Sequence, residues 1–333
     1  MIGAIQHMIR GADSAVARLY LSLFKERNAL LPFLFHSLFR DEREIAANVV
    51  DPLQRTTLAQ FRQFIEYYLE HGYRFVSPAD LLAGLRPGGK YALITFDDGY
   101  FNNMLAVPIL KEFDVPALFF IATDNVLQNK CYWWDVLYRE RIAQGASHSQ
   151  IYREAVSLKS LKTAQIEEQL STRFGPNAFR PQGDIDRPFT PAELKEFASS
   201  PQVHLGNHTA GHAILTNYSD DEIRAQVRSA QDALRQMTGV EALAIAYPNG
   251  GHDDRVVRIC REAGLKIGFT VRPEKRDLPL GPAAPGLMRL GRFTPHGESP
   301  ILAQCRTYRS DVLLYGLFRD GYLRLLRPRQ LAQ

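Results

Sequence analysis

Seven short apolar runs, most of them separated by segments with helical spacing, limit the folds that this chain can adopt. Each run has the length and apolar content of a buried strand, and the segments between them repeat apolar residues every three to four positions. Strands that alternate with helices favour a parallel α/β architecture, and seven of them predict a barrel-like arrangement. The predicted strands are residues 31–35, 91–96, 117–122, 203–207, 243–247, 266–270 and 287–292; the predicted helices are 57–71, 103–113, 220–238 and 253–263.

Two motifs place carboxylates and imidazoles at the ends of two of these runs. Thr95-Phe96-Asp97-Asp98-Gly99-Tyr100 sets two adjacent aspartates at the C-terminal end of run 91–96. His208-Thr209-Ala210-Gly211-His212 spaces two histidines four residues apart, which puts both on one face if the segment is a helical turn. One aspartate and two histidines make a facial metal site with room for water and substrate. The other aspartate remains free to handle protons.

The two motifs together resemble those of the polysaccharide deacetylases, carbohydrate esterase family 4. Residues 246–250, Ala-Tyr-Pro-Asn-Gly, are similar to a third family element, a loop that contains Pro and Gly. The resemblance covers roughly residues 32–295. It implies a distorted (β/α)7 barrel. Residues 130–188, a polar helical stretch followed by a loop with Gly and Pro, are predicted as an insertion between the third and fourth strands. The resemblance also implies a hydrolase that removes an N-acetyl group from a sugar.

The resemblance implies a role for each motif residue. Asp98, His208 and His212 correspond to the metal ligands, and zinc is the first expectation for this set, with cobalt or another first-row ion also compatible. Asp97 corresponds to the general base that takes a proton from the activated water. Asn249 occupies the position whose backbone N–H helps to hold the oxyanion.

The chain departs from the family pattern at two positions. Family members often carry an arginine at the position of Ala246, where it braces the base, and Arg292 is the candidate replacement as well as a candidate substrate contact. The family typically takes its general acid from a Leu-x-His element on the last strand. Here His296 lies beyond that strand, so we keep His36, at the end of the first run, as a second candidate that binds substrate or supplies the proton.

Aromatic side chains near the predicted mouth are candidates for stacking on a sugar ring. Trp133 and Trp134 lie in the insertion, and Tyr247 lies at the end of run 243–247. The alternative for the two tryptophans is packing of the insertion against the barrel. We predict all three as substrate-binding residues.

Composition excludes several other classes of protein. The chain has 333 residues with a net charge of only +4, so nothing indicates nucleic-acid binding. Three scattered cysteines form neither a disulfide framework nor a CxxC metal motif. The first residues do not resemble a signal peptide, and no window predicts a transmembrane helix. We therefore expect a cytoplasmic protein.

Three parts are expected along the chain: a helical extension over 1–29, a barrel over 30–305, and a basic amphipathic helix over 306–333. Residues 315–329 mix Leu, Phe and Tyr with arginines. They predict a helix packed on the barrel or, alternatively, peripheral contact with an anionic membrane, which here would be its inner face.

The combined expectation is a metal-dependent deacetylase whose partner is an N-acetylated carbohydrate substrate. Hydrolysis of a small non-sugar amide or an O-acetyl ester on the same fold is one alternative. A catalytically silent glycan-binding domain is another.

Overall fold

The protein is described by a computed structural model, which covers residues 2–284 and 286–312, with side chains from residue 13 onward. The strands are β1 (Ala29–Phe35), β2 (Arg74–Phe75), β3 (Tyr91–Phe96), β4 (Ala117–Ile121), β5 (Val203–Asn207), β6 (Ala244–Ala246), β7 (Ile267–Phe269) and β8 (Arg276–Asp277). The helices are α1 (Ile2–Leu23), α2 (Glu42–Ala46), α3 (Leu58–Glu70), α4 (Pro78–Ala83), α5 (Val107–Phe113), α6 (Thr123–Gln128), α7 (Trp133–Ala143), α8 (His148–Leu158), α9 (Thr163–Phe174), α10 (Pro191–Ala198), α11 (Asp220–Thr238), α12 (Asp254–Glu262) and α13 (Ile301–Arg309).

The sheet is curled, and its order is β7-β6-β5-β4-β3-β1-β8. All pairs from β1 to β7 along this path are parallel, while β8 adds to β1 in the antiparallel sense and β2 pairs with β3. Every residue of β1 and β3 is buried, as expected of parallel strands that are covered on both faces.

The segment 290–293 closes the curled sheet between β7 and β1. Leu290 forms a parallel bridge to Phe269, and Phe293 forms one to Phe33. The N–H of Leu34 donates to the Phe293 carbonyl at 2.8 Å. The described residues therefore form a ring of seven parallel segments, and the predicted distorted (β/α)7 barrel is confirmed. The seventh predicted strand, 287–292, is wrong in its first half, because Leu287–Arg289 is a 3-10 turn.

The register of β1 against β3 positions the site. Phe35 and Phe96 are paired, so both strands end at the same edge of the barrel. The N–H of Asp97 then donates to the Phe35 carbonyl at 2.9 Å. Because parallel strands present their carboxyl ends together, His36 and Asp97 emerge side by side.

Helix ends follow the sequence signals closely. Thr57 and Ser219 cap α3 and α11 in capping boxes with Gln60 and Glu222. Gly239 ends α11 in the left-handed conformation that glycine adopts most easily. The predicted helix 220–238 is confirmed residue for residue.

The predicted insertion between β4 and β5 contains α7, α8 and α9, which enclose a small apolar core of their own. A buried ion pair fastens its last loop: Arg139 Nη1 donates to Asp186 Oδ2 at 2.8 Å, and Cys131 Sγ lies 3.3 Å from the same oxygen. All three cysteines are buried and free.

The two ends of the described chain meet on one side of the barrel. Helix α1, in the helical extension expected over residues 1–29, runs over Ile2–Leu23 and packs against α13, which in turn packs against α3. Helix α13 crosses the expected boundary at residue 306, and the amphipathic helix predicted over 315–329 lies outside the described residues. Within the described ranges, every helix is too short or too polar to cross a bilayer.

Candidate active site

Two histidine side chains that follow β5 approach one carboxylate oxygen of Asp98, which follows β3. Asp98 Oδ1 lies 3.3 Å from Nε2 of His208 and 3.3 Å from Nε2 of His212. All three residues are buried, and their potential ligand atoms lie within 4.8 Å of one another. The structure thus brings together the three predicted metal ligands, although Asp98 is more than a hundred positions from the two histidines in the chain.

The backbone after β3 turns sharply to present Asp98. Asp98 and Gly99 both have positive φ, 76° and 88°, so the chain reverses directly behind the two aspartates. A Cβ on Gly99 would lie 3.0 Å from Ile121 Cδ1, which explains why glycine fits this position. The Asp98 carbonyl accepts from Tyr132 Oη at 2.9 Å and from the Ala122 N–H at 3.1 Å.

The segment that carries the histidines is an irregular loop, so the expectation of a helical turn is wrong. Thr209 and His212 have φ of 62° and 50°, which breaks any helical run. Side chains support the loop instead: Asn207 Oδ1 accepts from the Thr209 N–H, and Thr209 Oγ1 accepts from the Ala213 N–H. The two imidazoles meet because the loop folds back, with ring centroids 4.8 Å apart.

The donor atoms fit a divalent ion. Asp98 Oδ1 is buried and has no hydrogen-bond partner among the described residues. A buried carboxylate oxygen without a partner is costly unless a cation binds there. His208 Nδ1 lies 2.8 Å from the Ala246 carbonyl, which places a proton on Nδ1 and leaves the Nε2 lone pair for a metal. Two imidazole nitrogens and one carboxylate suit zinc and several other first-row ions.

Asp97 is held by a fully buried arginine. Arg292 donates from Nη1 to Asp97 Oδ1 and from Nη2 to Asp97 Oδ2, both at 2.7 Å. Its remaining donors reach Thr95 Oγ1 at 2.9 Å and the Thr270 carbonyl at 3.0 Å. The predicted replacement brace therefore lies in contact with the predicted base. Arg292 as a substrate contact is wrong, because its guanidinium is buried and occupied.

The electrostatics keep both aspartates ionised. Burial alone would raise the pKa of Asp97, but the positive charge of Arg292 outweighs this effect and the pKa is lowered. Burial also opposes ionisation of Asp98, whose pKa is nevertheless lowered strongly by the adjacent imidazoles of His208 and His212. An ionised Asp97 is the form that accepts a proton, and an ionised Asp98 is the form that ligates a cation.

His36 lies at the same edge of the barrel as the aspartates. Gln54 Oε1 accepts from the His36 backbone N–H at 2.9 Å and lies 3.3 Å from Nδ1. The His36 carbonyl accepts from Asn103 Nδ2 at 2.8 Å. The backbone of His36 is therefore held from both sides, and its Nδ1 lies next to the Gln54 side chain.

His296 lies in the loop between the closing segment and α13. Its backbone N–H donates to Gln304 Oε1 and its carbonyl accepts from Gln304 Nε2. The next residue, Gly297, donates its N–H to the Gln54 carbonyl. Gln54 thus links this loop to His36, and catalysis by His296 stays a prediction.

The third family-like element forms a tight turn after β6. Asn249 is exposed and has φ of 54°, within the 3-10 turn Pro248–Gly250. Its role in holding an oxyanion stays a prediction. Tyr247 as a substrate contact is wrong, because its ring is fully buried and its hydroxyl donates to the Met288 carbonyl at 3.0 Å.

The two tryptophans have different environments. Trp134 is half-buried, and its ring centroid lies 4.5 Å from that of His212, so it forms one wall of the site. Trp133 is buried in the apolar core of the insertion, which makes its assignment to substrate wrong and the packing alternative correct.

A hydrogen-bonded wall behind Trp134 escaped the sequence analysis. Trp134 Nε1 donates to Tyr100 Oη at 2.8 Å, and Tyr100 Oη lies 2.6 Å from Asp135 Oδ2. Burial raises the pKa of Asp135 well above its ordinary value. Tyr100 is the last residue of the first motif, and this position was the sequence feature that could have indicated its role in the site. Nothing local shows that Asp135 turns inward from α7.

Comparison with known proteins agrees with the fold and the motifs. The family model described as polysaccharide deacetylase matches residues 84–268, which is more than half of the chain. The chain therefore belongs to the polysaccharide deacetylase family.

Individual relatives are distant. The Streptococcus pyogenes deacetylase PplD in complex with acetate is 19% identical, with a TM-score of 0.57 over 85% of this chain and 99% of that chain. IcaB from Ammonifex degensii is 18% identical, with a TM-score of 0.55 over 85% of this chain and 98% of that one. At these identities the solved structures show a shared fold.

A sequence relative occurs in Bacillus subtilis (strain 168). YxkH, whose name places it among the polysaccharide deacetylases, is 19% identical over 224 residues, or 66% of this chain. The match spans 60% of the length of YxkH.

Proposed function

We propose that this protein is a metal-dependent hydrolase that removes the N-acetyl group from an N-acetylated sugar in a glycan or glycan precursor. The observation that carries the proposal is the approach of His208 and His212 to Asp98 Oδ1, which has no hydrogen-bond partner in the described part of the chain and lies next to Asp97 in sequence. Membership of the deacetylase family supports the same reaction.

The residues divide the chemistry among them. A divalent ion held by Asp98, His208 and His212 would supply Lewis acidity and an activated water. Asp97 is the proton acceptor, and Arg292 holds its two oxygens in a fixed orientation while keeping the carboxylate ionised. The exposed turn at Asn249 offers a backbone N–H to the developing oxyanion.

The leaving amine needs a proton, and we assign this step to His36. The register of β1 against β3 sets His36 beside Asp97, so donor and base flank the same reaction centre. His296 is the second candidate. Trp134, next to His212, is placed to stack on the sugar ring.

The test is acetate release from a panel of N-acetylated sugars, oligosaccharides and nucleotide sugars, with O-acetyl esters and simple amides alongside. The purified full chain is assayed before and after chelation and after restoration with zinc or cobalt. We expect release that chelation abolishes and either metal restores. If acetate is released only from esters or simple amides, the substrate is not an N-acetylated sugar. If no compound releases acetate, the result favours a catalytically silent binding domain.

Two variants separate base from ligand. Asp97→Asn is expected to retain metal and lose at least about a hundredfold in kcat, because general-base catalysis contributes at that level. His212→Ala is expected to lose metal and activity together, and His148→Ala, at an exposed position on α8, serves as its matched control. Full metal content in His212→Ala would remove that residue from the ligand set, and near-normal turnover in Asp97→Asn would remove the base.

The proton donor is tested in the same assay. His36→Ala is expected to lower kcat more on amides than on O-acetyl esters, because an amine leaves poorly without protonation while an alkoxide needs less help. His296→Ala is measured in parallel. An amide-selective loss in His296→Ala with none in His36→Ala would exchange the two assignments.

A further inference from the structure

The end of α1 and the residue after it present three large apolar side chains to solvent. Leu19, Leu23 and Phe24 are 59%, 66% and 60% exposed. Leu19 and Leu23 lie one helical turn apart on the same face, and Phe24 follows directly. The buried side of the same turn carries Ala17. We call Leu19, Leu23 and Phe24 the α1 apolar strip.

Acidic and basic side chains of residues 13–26 lie on different sides of this segment. The acidic side chains of Asp13 and Glu26 are buried, and Glu26 is paired with Lys90 and Arg309. The cationic side chains of Arg18 and Lys25 are exposed and adjoin the apolar strip. Among residues 13–25, the exposed charged side chains are therefore cationic and adjoin the apolar strip. This combination suits a bilayer interface with anionic headgroups.

The end of the described chain lies next to the same surface. Tyr20 Oη donates to Asp311 Oδ2 at 3.0 Å, so the chain leaves the described region beside α1. Residues 313–333 carry four arginines and one aspartate among Leu, Phe and Tyr residues. The sequence that continues from this point thus has the same apolar and positive composition as the strip.

We propose that the α1 apolar strip docks this protein on a bilayer surface that carries anionic lipid. Leu19, Leu23 and Phe24 enter the boundary between headgroups and acyl chains, while Arg18 and Lys25 contact the headgroups. The proposal concerns binding alone and does not depend on the activity proposed above.

The test is vesicle co-sedimentation of the full chain with phosphatidylcholine vesicles and with vesicles that also contain phosphatidylglycerol. We expect binding to the anionic vesicles that weakens as salt rises. Leu19→Gln, Leu23→Gln and Phe24→Gln combined are expected to weaken binding at least about tenfold, because each apolar side chain contributes to partitioning. Arg18→Gln with Lys25→Gln is expected to remove most of the preference for anionic lipid.

A control variant replaces exposed apolar side chains on a different helix. Tyr152→Gln with Val156→Gln removes two side chains that are 70% and 47% exposed, one turn apart on α8, and is expected to leave binding unchanged.

Undiminished binding of the triple variant, or no binding of the unmodified chain, would overturn the proposal. So would a dimer in light scattering that the triple variant dissociates, because the strip would then be an interface between copies. If the triple variant fails to fold by circular dichroism, the single variants Leu19→Gln and Phe24→Gln decide, and full binding by both would overturn the proposal.

Discussion

At the scale of single residues, the central feature is the ion pair between Asp97 and Arg292. Both side chains are buried, and the pair is bidentate, with further hydrogen bonds from the guanidinium to Thr95 and Thr270. Such a pair costs desolvation and repays it only through complete hydrogen bonding, so removing one partner is far worse than replacing both. Its value to the protein is positional, because it orients the proposed base.

A double-mutant cycle tests this account. Arg292→Met is expected to lower the free energy of unfolding by about 3–5 kcal/mol, because it leaves the Asp97 carboxylate buried without its cation. Adding Asp97→Asn is expected to recover at least about 1 kcal/mol of that loss. Urea unfolding at pH 7 measures both. A double variant that is less stable than Arg292→Met alone would show that the uncompensated charge is not the cause.

At the scale of elements, closure of the barrel by segment 290–293 places Arg292 in the site. The 3-10 turn Leu287–Arg289, which leads into this segment, approaches β7 closely: a Cβ on Gly268 would lie 2.3 Å from the Met288 carbonyl oxygen and 2.6 Å from Tyr247 Oη. Backbone cannot yield as a flexible side chain does, so glycine at this position permits the closure.

Gly268→Ala is therefore expected to destabilise the protein by about 1–3 kcal/mol, the usual range for an added methyl group in a packed interior. It is also expected to lower activity, because displacement of the closing segment moves Arg292 away from Asp97. Gly183→Ala is the control, since no atom lies within 4 Å of its added Cβ. Thermal unfolding and kcat are measured for both variants. Equal stability of the two variants would contradict the close approach.

At the scale of the whole molecule, Glu26 joins distant parts of the chain. It accepts hydrogen bonds from Tyr73 before β2, from Lys90 before β3 and from Arg309 at the end of α13. Burial raises the pKa of Glu26, but the hydrogen bonds from Arg309 and Lys90 outweigh it, so the pKa is lowered. A carboxyl with a lowered folded-state pKa stabilises the protein above its unfolded pKa and loses that effect as pH falls through the folded value.

Glu26→Gln is accordingly expected to cost about 1–3 kcal/mol at pH 7, and less as the pH falls below about 4. Urea midpoints of wild type and variant at pH 7, 5 and 3.5 measure the difference. Glu66→Gln, which alters an exposed surface pair with Arg62, is expected to change little at any pH. A difference that stays constant or widens toward low pH would contradict the lowered pKa.

Much of this outcome was present in local sequence. Runs of buried apolar residues predicted the strands, capping residues predicted the helix ends, and motif spacing singled out Asp98, His208 and His212 before any geometry was known. These features are local because they depend on hydrogen bonds and side-chain periodicity within a few residues. The conformation of loop 208–212 was missed because a spacing of four is compatible with a helical turn and with a folded loop alike.

The sequence by itself determined the alternation of strands and helices, the motifs of the deacetylase family and the residue types at each strand end. The tertiary structure alone decided which of them meet. Arg292 and Asp97 are 195 positions apart, and only ring closure brings them to 2.7 Å. Packing likewise separated Trp134, beside His212, from its neighbour Trp133, and buried Tyr247. Which side of a helix or strand faces the site depends on how whole elements pack, and no local pattern carries that information.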